Sequence, residues 1–109
     1  MFTEGQILIG NRKKHPKAYH LIVYIKSSNI DSHFVGLMLT HDSGKGNLLM
    51  NENHFTNGFK YQNTHVVNAY LLKPKEWAPF KTIGNLTKEG LDFIYENINT
   101  NPPVMWESF

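Results

Sequence analysis

Over the first two thirds of the chain, apolar residues come in short bursts separated by polar stretches rich in glycine, proline and asparagine. "GQILIG" is a brief apolar run with a glycine at each end, and it predicts a strand over Gly5 to Ile9. "LIVYI" (Leu21 to Ile25) is β-branched and aromatic, the pattern of a buried strand. "FVGLMLT" (Phe34 to Thr40) predicts a third, with Gly36 marking a bulge or a close backbone approach. "NLLM" is a short fourth candidate, and "THVVNAYLLK" (Thr64 to Lys73) another, ended by Pro74. Between them, "NRKKHPKAYH" is polar and broken by Pro16, so it reads as a loop, long for a tight hairpin. "KSSNIDSH" and "HDSGKG" carry turn chemistry, Asn57-Gly58 is a hairpin-turn signal, and "PKEWAPFKTIGN" reads as a connection with aromatic anchors.

The period then changes. In "LTKEGLDFIYENIN", Leu91, Ile94, Tyr95 and Ile98 follow the i, i+3, i+4, i+7 spacing of an amphipathic helix. Thr87 is placed to cap its start, and Glu89 and Asp92 fall in the first turns, where the helix dipole favours negative charge. The helix is expected over about 87–99, stopped by the run from Asn99 to Pro103 and followed by an apolar tail over 100–109 that either docks on the core or frays. Five or six short strands and one C-terminal helix predict a mainly β fold, a small SH3-like barrel that closes or half-closes to hide its edges.

Composition narrows the picture. The chain has 109 residues, one domain's worth, here 1–109. It has no cysteine, which excludes disulfides, cysteine zinc sites and a thiol nucleophile and fits a reducing, cytoplasmic setting. "MFTEGQILIG" lacks the pattern of a signal peptide, and no apolar run approaches the roughly 20 residues of a membrane span, so no membrane partner is expected. Net charge is only +2, but Arg12, Lys13, Lys14 and Lys17 crowd one stretch while Glu89, Asp92, Glu96 and Glu107 gather late in the chain. Such segregation marks either a polyanion-binding segment or a solvated loop.

Four patches together resemble the MazF/PemK-like toxins of bacterial toxin–antitoxin systems. "EGQILI" is similar to that family's opening strand, and the basic stretch leading into "HLIVYI" to its second. "GLMLTHDS" is similar to its third strand, which ends in Thr-Ser. "LLKPKEWAPFKTIGNLTKEGLDFIYENI" is similar to its closing strand, turn and C-terminal helix. The matches span nearly the whole chain in the right order. The resemblance implies a PemK/MazF-like SH3 barrel, usually a homodimer, that cleaves single-stranded RNA without metal or other cofactor and is blocked by an antitoxin protein. One position departs from the family: its Arg-Pro pair falls at His20-Leu21.

Metal-free RNA cleavage needs a base for the 2′-hydroxyl, donors for the charge building on phosphorus and an acid for the departing 5′-oxygen. Histidine suits both proton-transfer roles. If the second and third strands are antiparallel neighbours, His20 at the start of one lies beside Thr40 and His41 at the end of the other. The candidate catalytic set is therefore His20 and His41 as an acid–base pair, with Thr40 or Ser43 donating to the phosphate. The RNA-binding set is Arg12, Lys13, Lys14 and Lys17 for the backbone and Tyr19 for a base. Thr40, Asp42, Ser43 and Gly44 also make a serviceable turn, and that alternative stays open. A catalytically inactive barrel that binds RNA or a peptide is the other reading. His15 and His20 are separated by four residues, but no cysteine or second such pair accompanies them and no metal site is expected; neither a nucleophile elbow nor a phosphate-binding glycine loop occurs.

Overall fold

The computed structural model describes residues 2–12, 15–30, 32–74 and 79–105, with the backbone alone for 12, 15–18 and 74. Lys13, Lys14, Trp77, Glu107 and the end of the expected tail lie outside the described residues. The fold is mainly β with one helix near the C-terminus, as the apolar pattern predicts. Its strands are β1 (Gln6–Arg12), β2 (His15–Ser27), β3 (His33–Thr40), β4 (Leu48–Leu49), β5 (His65–Val66), β6 (Leu71–Pro74), β7 (Lys81–Asn85) and β8 (Val104–Met105). A single 3-10 turn spans Glu52–His54 and the helix α1 spans Lys88–Asn97.

The sheet runs β4-β5-β3-β2-β1-β7, with β6 beside β3 and β8 parallel to β6. It stays open along its ladders, yet it curls far enough that Phe55 bridges to Leu86 and the Thr56 amide bonds the Asn85 carbonyl at 2.9 Å. The chain after β4 thus meets the end of β7, giving a half-closed, barrel-like shape.

The uninterrupted apolar runs have a packing cause: β1 and β2 are buried on both faces. Ile7, Val23 and Leu37 lie rung by rung on one face and join Val35, Leu39, Met50, Phe55, Val66, Leu86, Ile94 and Ile98 in the principal core. Leu8 and Ile22 face the other way and form a second cluster with Phe34 and Leu71, edged by Phe2, Tyr24, Met38 and Phe80. In that cluster Phe34 meets Phe80 edge-on with ring centroids 5.5 Å apart, a favoured aromatic geometry.

Gly36 performs the role its position suggests. A Cβ there would stand 2.9 Å from both Ile22 Cγ2 and the Val23 carbonyl, and β2 shifts register between Tyr24 and Lys26 alongside it. Ile25, the extra residue at that bulge, keeps the face of Val23 and packs in the principal core.

Three expectations are corrected. "NRKKHPKAYH" is not a long loop: β1 continues to Arg12, which pairs with His15, so the two strands extend together as a paired arm. Most positions of that arm are polar, so no apolar alternation betrays it, and Pro16 sits near the strand start, where a missing amide is tolerated. The run from Thr64 to Lys73 is not one strand. β5 pairs with Leu39 and Thr40, β6 pairs with residues 33–36, and a turn at 67–70 interrupts them along the same edge of β3. Finally, "KTIGN" is strand β7 rather than connection; as an edge strand facing solvent on one side, it has only Ile83 to signal burial.

The helix begins where the pattern places it. Thr87 Oγ1 accepts from the Gly90 amide at 3.2 Å and donates to the Asn53 carbonyl at 2.7 Å, fixing α1 to the 3-10 turn. Ile94 and Ile98 are buried, Leu91 packs over Gly5 at the start of β1, and the Tyr95 hydroxyl donates to the Glu4 carboxylate. Burial and that carboxylate push the Tyr95 phenol above its ordinary range. The apolar tail docks as far as β8, parallel to β6, while Val104 and Met105 remain exposed.

Candidate functional site

With α1 near the start of β1, the opposite end of the sheet is open. There β3 ends beside the middle of β2 and the later part of β1, and a cleft of about 550 Å³ opens between them and the segment 58–64. Ile9, Leu21, Leu39, Phe59 and Ile83 give it an apolar floor, and Tyr19, His20, Thr40, His41, Lys60 and Gln62 give it a polar rim. An apolar hollow with a few convergent polar groups is the usual form of a small-ligand or base-binding site.

Antiparallel pairing brings the rim together. Leu21 pairs with Leu39, and one rung further that register sets His20 alongside Thr40. His20 also pairs with Gly10, and Thr40 with His65, so a row Gly10, His20, Thr40, His65 crosses four strands. Paired residues share a face, so His20 and Thr40 project to the same side, the face of Ile22 and Met38, while Leu21 and Leu39 between them project to the other; the cleft lies at the edge where both faces meet. His41 follows the strand end, and its ring is anchored separately: Nδ1 lies 2.8 Å from the Gln62 carbonyl. A carbonyl only accepts, so Nδ1 carries the proton and Nε2 of the neutral ring is left as the acceptor.

Thr40 Oγ1 accepts from the Asp42 amide at 3.1 Å, which leaves its own O–H to donate elsewhere. The turn reading and the site reading are therefore compatible at Thr40. They part at the next residues: Asp42 accepts from the Gly44 amide at 2.7 Å in a local turn, and Ser43 is exposed beside it and does not line the cleft.

His20 has a partner that the sequence gives no sign of. Lys73 is fully buried, and its Nζ lies 3.4 Å from His20 Nδ1. Burial, reinforced by the Lys73 charge, pushes the His20 pKa down to about 4. The ring is consequently neutral at neutral pH.

Of the residues the sequence nominates, Tyr19, His20, Thr40 and His41 line one cleft. Tyr19 is 56% exposed, as a base-stacking ring needs to be. Arg12 and Lys17 lie on the β1–β2 arm that leads away from the rim, and Lys13 and Lys14 fall outside the described residues. Sequence reasoning missed Lys60, Gln62 and Thr64, which reach the cleft from a segment with no strand pattern, and Lys73, which reads as an ordinary strand-end lysine. The nearby Phe59 stacks on Phe55 with centroids 4.5 Å apart, and Gly84 admits it closely, a Cβ there standing 3.1 Å from Phe59 Cβ.

The other histidines whose side chains are described, His33, His54 and His65, are occupied in the fold. His54 Nδ1 accepts from the Asn51 amide at 3.1 Å and its ring packs on Phe93 at 4.6 Å; burial lowers its pKa. His65 Nδ1 bonds the Asn63 carbonyl at 2.7 Å, and His33 Nδ1 bonds Ser32 Oγ at 2.8 Å. Among the described residues, no group of three or more His, Asp or Glu is placed to hold a metal ion, and no helix is long and apolar enough to cross a membrane. No family model, no curated protein and no solved structure matches the chain.

Proposed function

We propose that the cleft binds single-stranded RNA and cuts it by attack of a 2′-hydroxyl on the adjacent phosphate, in the manner of a toxin-like endoribonuclease. The observation that carries this reading is His41, an exposed rim histidine held by the Gln62 carbonyl in the tautomer a general base requires. Its Nε2 takes the 2′-hydroxyl proton as O2′ bonds to phosphorus. Thr40 O–H, the neutral His20 ring and the Lys60 ammonium stabilise the charge that gathers on the phosphorane oxygens. The P–O5′ bond then breaks, the 5′-oxygen takes a proton from solvent at the open rim, and a 2′,3′-cyclic phosphate remains.

His20 does not serve as the acid here, because a ring with a pKa of about 4 holds almost no proton at neutral pH. It acts instead as a neutral hydrogen-bonding group at the position where the family resemblance would place an arginine. Independence from metal, an antitoxin segment that fills the cleft and a homodimeric assembly in the cytoplasm are further parts of this reading, and all rest on that resemblance.

The same low proton affinity of His20 favours a second reading, a barrel that binds RNA or a peptide without cutting it. His41→Ala separates the two. For the nuclease, the variant loses at least about 100-fold of the cleavage rate, the ordinary contribution of a positioned base, while it still binds RNA. Unchanged cleavage in His41→Ala would remove His41 from the chemistry.

A further inference from the structure

Lys73 was recruited by neither the sequence pattern nor the proposed chemistry, yet it is the one lysine among the described residues that is fully buried. It leaves β6 at the rung where Lys73 pairs with Phe34, on the face that carries the Leu8, Ile22, Phe34 and Leu71 cluster. Its ammonium ends 3.4 Å from His20 Nδ1. An ammonium has three donors and no acceptor, so this contact is attractive only if Nδ1 offers a lone pair. A neutral imidazole with an unprotonated Nδ1 carries its single proton on Nε2. An imidazolium would instead set an N–H against the ammonium. Burial keeps Lys73 from swinging away to solvent, so the arrangement is fixed before any ligand arrives.

We propose that Lys73 is a positioning residue of the cleft, whose buried ammonium locks His20 as the Nε2–H tautomer and so makes the ring a hydrogen-bond donor toward a phosphate oxygen. The phosphate part rests on the reading of the cleft as an RNA site; the tautomer part rests on the Nδ1 contact together with the positive charge of Lys73. Both side chains have further partners, and the tautomer follows from the Nδ1 contact without them. The other charged or titratable groups on the rim around His20 are Tyr19, His41 and Lys60. His41 is tied through its own Nδ1 to Gln62 and offers Nε2 as an acceptor, so the two histidines present opposite faces of the same chemistry. One accepts a proton and the other donates a hydrogen bond, and only the second is set by Lys73.

The test is long-range proton–nitrogen NMR of the imidazole rings in the full-length, nitrogen-15-labelled protein at pH 7, with His20 assigned by its absence in His20→Gln. The unmodified protein is expected to show a protonated Nε2 and an unprotonated Nδ1 at His20. In Lys73→Met, which keeps the apolar stem, the ring is expected to lose that preference and to titrate closer to the ordinary histidine range. Binding of a 2′-O-methyl tetranucleotide, which cannot be cut, is expected to weaken about two- to tenfold, the worth of one hydrogen bond. Lys73→Gln, which retains a donor, is expected to recover the Nε2–H signature. A protonated Nδ1 in the unmodified protein overturns the proposal without recourse to any variant, and so does an unchanged His20 signature in Lys73→Met. If the tautomers behave as expected and the tetranucleotide does not bind, the RNA reading fails and the hold of Lys73 on His20 stands.

Discussion

A histidine kept neutral beside a buried ammonium makes the fold sensitive to acid. The folded pKa of His20 is about 4, below the ordinary 6.5, so between those values the unfolded chain binds a proton that the native state does not. Stability therefore falls as the pH drops from about 6.5 towards 4 and is flat for this group above that window. A shift of this size corresponds to roughly 3 kcal/mol at most, reduced by the partial exposure of the ring. His54, also lowered by burial, adds in the same direction. Urea unfolding at a series of pH values measures the slope. The expected result is a loss of stability through that window that shrinks in His20→Gln, and a slope unchanged by that substitution would contradict the assignment. The nearness of His20 and Thr40 was legible in advance because the second and third strands pair antiparallel, Leu21 against Leu39, although β2 begins at His15 and His20 lies within it rather than at its start. The protonation state of His20 was not legible, because it depends first on burial and then on Lys73, which is 53 positions away and meets it only through β6.

Helix α1 and the 3-10 turn Glu52–His54 meet so closely that one hydrogen atom separates fit from collision. A Cβ on Gly90 would stand 2.2 Å from the His54 carbonyl oxygen, a backbone atom that cannot step aside alone. Alanine favours a helix over glycine by about 1 kcal/mol, so an isolated helix would gain from Gly90→Ala. Here the substitution is expected to cost about 1–3 kcal/mol as overpacking, lowering Tm by roughly 5–15 °C in a thermal melt. Thr87→Ala removes both the cap to Gly90 and the bond to Asn53 and is expected to cost about 1 kcal/mol. A more stable Gly90→Ala would mean that the helix does not seat on the 3-10 turn. The helix, its cap and its buried stripe were readable because 3.6-residue periodicity and capping chemistry are local. The arm of β1 and β2 was not, because strand pairing outside a core needs no apolar alternation. Strand β7 was hidden for the same reason, and the break between β5 and β6 because both halves follow the same edge of β3.

The whole chain divides its two ends between different tasks. Helix α1 seals the end where β1 starts, through Leu91 over Gly5 and Tyr95 on Glu4. The other end, where β3 stops, is left open as the cleft, and the β1–β2 arm with Arg12 and Lys17 leads away from it. The half-closed barrel could be anticipated from composition and strand count, but the opening at one end follows from where the helix docks and where the 58–64 segment returns, and no local pattern encodes either. We propose that this open end cuts RNA by its own side chains. Purified protein incubated with long single-stranded RNA in excess EDTA, followed by mapping of the new ends, tests it most directly. The expected products are fragments ending in 2′,3′-cyclic phosphate with free 5′-hydroxyls, formed at an unchanged rate in the chelator and lost in His41→Ala. Intact RNA, or fragments bearing 5′-phosphates, would contradict it.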